Sequence, residues 1–96
     1  MSTRTAQVEA NIARVLSNVI HEMRDPRLPL VVTVEAVRVT ADLGYARVFI
    51  SSLGNNIEVL AALEHGKGFL QRQLAQELPM RRTPLLSFHD ASETLF

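Results

Sequence analysis

The chain predicts an α+β fold, with helices packed on one face of a small sheet, and three observations carry that expectation. An apolar stripe of helical period runs through residues 4–24. Two β-branched runs follow, separated by a turn containing Asp and Gly. Two further short helical stretches and a last β-like run complete the order helix, strand, strand, helix, helix, strand. Strands grouped together with helices beside them bury their apolar faces as a two-layer sandwich. Ninety-six residues supply one such core, so a single domain over 1–96 is expected.

The first stripe comprises Val8, Ile12, Val15, Leu16, Val19, Ile20 and Met23, which fall on one side of a 3.6-residue helix. Thr3 or Thr5 suits its cap, and Pro26 and Pro29 stop it, because a residue before proline is pushed out of the α region. In VVTVEAVRVT (31–40) the alternation slips. Val32 and Val34 share a face with Val37 and Val39 only if a bulge near Glu35–Ala36 absorbs one residue. The turn ADLG (41–44) leads into YARVFISS (45–52), where Ala46, Val48 and Ile50 alternate with polar and aromatic residues, as in a hairpin.

Asn55 or Asn56 is a fitting cap for a second helix, IEVLAALEH, with Ile57, Leu60, Ala61 and Leu63–Glu64 at helical spacing. A third helix starts near Phe69, carries Leu70, Leu74 and Leu78, and stops at Pro79; LLSFH makes the third strand. Between the two helices lies GKG (66–68), holding the chain's only lysine. Glycine inside a helix costs about 1 kcal/mol relative to alanine, so two of them predict a break.

Composition excludes several classes of function. There is no cysteine, hence no disulfide, thiol nucleophile or cysteine-bound zinc. No apolar run reaches membrane-spanning length, and MSTRTAQVEANIARV lacks the apolar core of a secretory signal, so a cytoplasmic protein with no membrane partner is expected. His21, His65 and His89 lie on three different elements without metal-ligand spacing, and no nucleophile elbow or P-loop is present. Neither an enzyme, a metal, a cofactor nor a small-molecule substrate is expected.

Net charge is zero, but it is unevenly spread: residues 65–84 hold Lys67, Arg72, Arg81 and Arg82 against Glu77. The helix following GKG offers backbone N–H groups and the positive end of its dipole, and glycine lets a phosphodiester approach the main chain. Lys67 adds a point charge beside it. A KH domain uses the same logic, with a GxxG loop between two helices clamping single-stranded nucleic acid. The same residues also suit a plain helix–helix corner with Gly66 as its C-cap.

Four stretches carry a closer resemblance: DPRL (Asp25–Leu28), VRVTADLGYARVFIS (Val37–Ser51), LEHGKGFLQRQL (Leu63–Leu74) and RRTPLLSFHDAS (Arg81–Ser92). In this order and spacing they resemble the bacterial ribosome-binding factor A family, which has a type II KH-like fold. The resemblance implies an assembly factor without catalytic activity. It would bind the small ribosomal subunit and its rRNA late in maturation, assist rRNA processing and serve growth in the cold.

It puts the interhelical kink where other KH domains have GxxG. The RNA-binding residues expected on this reading are Lys67 with the backbone of Gly66 and Gly68 for phosphate contact, and Arg72, Arg81 and Arg82 as flanking cations, with Arg27 and Arg47 as weaker candidates. The chain departs from the family pattern at Gly66, where alanine is usual, and at Gln71, Gln76 and Pro79, where basic residues are common. It also stops at Phe96, without the extension many relatives carry. With no leftover apolar stripe, a monomer is the default expectation. A KH-shaped protein-interaction module that has lost RNA binding is the rival reading, consistent with the zero net charge.

Overall fold

The computed structural model describes residues 3–94. Helix α1 (Thr3–Glu22) is followed by strands β1 (Val32–Val39) and β2 (Tyr45–Ser52), helices α2 (Asn56–His65) and α3 (Lys67–Glu77), strand β3 (Leu85–Asp90) and a single 3₁₀ turn at Ala91–Thr94. The sheet order is β1-β2-β3. β1 and β2 form the antiparallel hairpin, whereas β3 lies parallel to β2. A parallel neighbour requires a long crossover, and α2 with α3 provides it.

All three helices feed one core. Ile12, Val15, Leu16, Val19 and Ile20 of α1 meet Val37, Ala46, Val48, Ile50, Leu86 and Phe88 from the sheet, together with Val59, Leu63, Leu70 and Leu74. The α1 stripe is the one expected, with Val8 and Met23 half-buried at its ends. Thr3 and Thr5 lie inside the helix instead of ahead of it, so the capping position falls outside the described residues. Glu9, also on α1, is buried, and its Oε2 accepts the Val39 N–H at 2.9 Å, tying the helix to the end of the edge strand.

The bulge sits where the phase of the valines placed it. Val34 pairs with Ile50 and Ala36 with Phe49, leaving Glu35 as the extra residue. Its carboxylate accepts the Ser51 hydroxyl at 2.6 Å. In the hairpin turn the left-handed residue is Leu43 (φ 60°), not Gly44. Thr40 and Asp42 hold this turn, both accepting from the Gly44 N–H.

Helix α2 corrects one expectation. Val59, Ala62 and Leu63 are buried, while Ile57 is 81 % exposed and Ala61 also faces water. IEVLAALEH is apolar on two sides, so helical periodicity admits both stripes. The choice is made at its amino end. Asn55 caps the helix, accepting from the Ile57 and Glu58 N–H groups at 3.0 and 3.3 Å. Asn56 then donates to the Ile50 carbonyl and to Asp90 Oδ2, and accepts the Ser52 hydroxyl. These bonds fix the rotation of α2 against the ends of β2 and β3. Truncating Asn56 to alanine leaves the carbonyl of the buried Ile50 short of a donor, so urea unfolding is expected to show a loss of about 1–3 kcal/mol.

Candidate nucleic-acid interface

The break between the crossover helices is a single residue. The Gly66 N–H donates to the Ala62 carbonyl, closing α2, and the Gly66 carbonyl accepts the Leu70 N–H, opening α3. Its backbone (φ −89°, ψ 10°) is open to any residue, so glycine is not required there for conformation. Space is the reason for a small side chain: a Cβ on Gly66 would stand 2.5 Å from the terminal methyl of Met23. Gly68 is not at the break at all. It lies in the first turn of α3, which begins at Lys67 and not near Phe69 as the sequence implied.

No side chain caps the amino end of α3. Lys67 Nζ lies 3.3 Å from Glu64 Oε2, and Gly68 is covered only by the Arg72 guanidinium, 3.6 Å from where its Cβ would be. Gly66, Lys67, Gly68 and Arg72 therefore come together on one corner. A surface pair of the Lys67–Glu64 kind is worth about 0–1 kcal/mol, a weak hold that a phosphate can displace.

A shallow cleft opens beside the corner, lined by Met23, Arg24, Asp25, His65 and Phe69, the last 39 % exposed. As RNA contacts, Arg24 and His65 are not legible in the sequence, where nothing in their local pattern distinguishes them from other helix-end residues. Arg27, close by, is engaged in forked contact with Asp25, through Nε to Oδ1 at 3.0 Å and Nη2 to Oδ2 at 2.7 Å. These bonds, with the Arg27 N–H, hold the Asp25 carboxyl down from 3.8 to about 2.

The remaining predicted cations lie elsewhere. Arg81 and Arg82 follow the far end of α3, whose 11 residues put about 16 Å between them and the corner. There they line a cleft with Arg4 and the hairpin turn. Arg82 Nη2 is 3.2 Å from where a Gly44 Cβ would be, and the Asp42 carboxyl is held below its usual range by the Thr40 hydroxyl first, then the Gly44 N–H, with the Arg82 charge a smaller contribution. Arg47 lies on the outer face of the sheet, 5.8 Å from the Phe49 ring.

Gln71, a departure from the basic residue resembled by this position, has a structural task. Its Nε2 donates to the Pro84 carbonyl at 3.1 Å and its Oε1 accepts the Leu86 N–H at 2.7 Å. It pairs α3 with the free edge of β3, a contact no local pattern reveals.

Residues 4–94 match the family model for ribosome-binding factor A. The chain belongs to the ribosome-binding factor A family. A ribosome-binding factor A from Marinomonas sp. is 46 % identical over 94 residues, spanning 91 % of this chain and 72 % of that protein. The crystal structure of ribosome-binding factor A from Thermus thermophilus superposes with a TM-score of 0.86 at 34 % identity, over 92 % of this chain and 97 % of that one. A Thermus thermophilus ribosome-binding factor A homology model fitted into a cryo-EM map of a 30S complex gives 0.79 at 32 % identity, over 93 % and 97 %.

Two outcomes follow from the corner's geometry. Replacing Gly66 by alanine restricts the unfolded chain and asks only the flexible end of Met23 to move, so stability is expected to stay within about 1 kcal/mol of the parent. Asp25 is depressed in the folded state, so its contribution is complete above its unfolded value of 3.8 and is lost as pH falls through about 2. The stability difference between the parent and Asp25→Asn is therefore expected to be constant above that window and to vanish across it, measured by urea unfolding against pH.

Proposed function

We propose that this protein is an assembly factor of the small ribosomal subunit. It binds the subunit's rRNA late in maturation through the Gly66 corner, supports rRNA processing and growth in the cold, and acts in the cytoplasm without catalysing a reaction. The observation that carries this reading is the match to ribosome-binding factor A along nearly the whole chain, coupled with a relative of the same fold fitted to a 30S complex.

The chemistry of the corner is compatible with it. An uncapped helix end, two glycines and the cations Lys67 and Arg72 suit a phosphodiester backbone, recognised by charge and close approach and not by base sequence. Arg81 and Arg82, one helix length away, reach a second point along the same RNA. Contacts so separated fix the orientation of a folded rRNA more firmly than one cluster of equal charge. No helix among the described residues is long and apolar enough to cross a membrane.

Co-sedimentation with purified small subunits, beside large subunits and an unrelated structured RNA, tests the proposal. Selective pelleting with the small subunit, weakened by salt, is the expected result. Lys67→Ala and Arg81→Ala should each lower affinity and reduce the salt slope by about one unit at most, one phosphate contact apiece. Pelleting that ignores salt and both substitutions would point to the protein-interaction module instead.

A further inference from the structure

The outer face of the sheet, opposite the helices, carries a feature the corner does not explain. Arg38 and Arg47 are direct cross-strand partners on β1 and β2, and both are exposed. Like charges facing each other across a ladder destabilise a hairpin. Among the described residues neither guanidinium has a carboxylate within ion-pair distance. Arg38 Nη1 bonds the neighbouring Val37 carbonyl at 3.0 Å, and Arg47 is held over the Phe49 ring.

Tyr45 and Leu85 are partners one step along the same face, 55 % and 50 % exposed, and Ser87 stands beside Arg47. Tyr45 and Arg47 are two residues apart on one strand, about 7 Å. An exposed aromatic ring next to paired, uncompensated guanidiniums is the arrangement that stacks a base and neutralises its phosphates.

We infer that this face is a second nucleic-acid contact, taking a single-stranded RNA segment with a base on Tyr45 and its phosphates on Arg38 and Arg47. Charge complementarity argues for RNA. The surface presents two cations and a ring, and the nearest acid on β1, Glu35, is occupied by Ser51. The inference deepens the ribosomal reading, resting on it for the identity of the RNA but not for the binding itself.

The test is a titration of the full chain with a fluorescein-labelled decauridylate over a series of salt concentrations, with small-subunit co-sedimentation run in parallel. Threonine at both arginine positions (Arg38→Thr with Arg47→Thr) keeps β propensity and lifts the repulsion, so the melting temperature should not fall. Affinity for the oligonucleotide should drop at least ten-fold, with a salt slope smaller by about 1.4 units, the value for two phosphates on a single strand.

Lysine at both positions should retain the slope, and Tyr45→Ala should weaken binding without altering it. A parent protein that ignores the oligonucleotide, or a double threonine variant that binds it unchanged, overturns the inference. If that variant keeps the oligonucleotide but loses the small subunit, the face meets an acidic protein and the RNA assignment is overturned. Pelleting of the parent with small subunits reports separately on the ribosomal reading.

Discussion

The crossover of this fold hinges on one residue that belongs to two helices. Gly66 ends α2 through its N–H and begins α3 through its carbonyl, so no loop intervenes and the angle between the helices is set by local hydrogen bonds. Each helix is then pinned to the sheet at a different place. Asn56 joins α2 to the ends of β2 and β3, and Gln71 joins α3 to the start of β3. With both helices fixed in this way, β3 is delivered parallel to β2 and the core closes against α1. The same constraint leaves the amino end of α3 bare at a corner, beside Lys67 and Arg72. Structure and candidate site thus share one cause.

Much of this was legible in the residues themselves. Period alone located α1 and its buried stripe, and the phase slip of four valines located the bulge at Glu35. The pair Asn55–Asn56 announced a cap for α2, and the structure gives that place to Asn55. The limits of such reading are equally physical. Helix α2 offers two apolar stripes, and only the anchoring of Asn56 across more than thirty residues to Asp90 selects one. Glu9 and Gln71 look like surface polar residues until their backbone partners on β1 and β3 are known. Leu43 takes a left-handed turn position next to a glycine that sequence statistics favour for it.

The candidate site was legible in kind but not in arrangement. Charge counting along the chain grouped Lys67, Arg72, Arg81 and Arg82 as one cluster, yet a helix between them draws the pairs apart. Arg4, distant in sequence, joins Arg81 and Arg82 instead. Zero net charge is then less informative than it first looks. Cations concentrated at the corner, at the hairpin turn and on the outer sheet face are offset by acids such as Glu35, Asp42 and Asp90, which bond to hydroxyl, amide or backbone groups. On this account the protein grips a folded RNA at several separated points, each modest in affinity.

The most direct test of the corner's role uses the absence of cysteine from the chain. A lone cysteine placed at His65, beside the break, can carry an iron chelate that cuts nearby RNA in a bound small subunit. A matching probe at Arg14, on the exposed flank of α1, serves as comparison. The account predicts strong, localised rRNA cleavage from position 65 and little from position 14. Cleavage from position 14 with none from position 65, in a complex of unchanged affinity, would place the RNA against a different surface and contradict it.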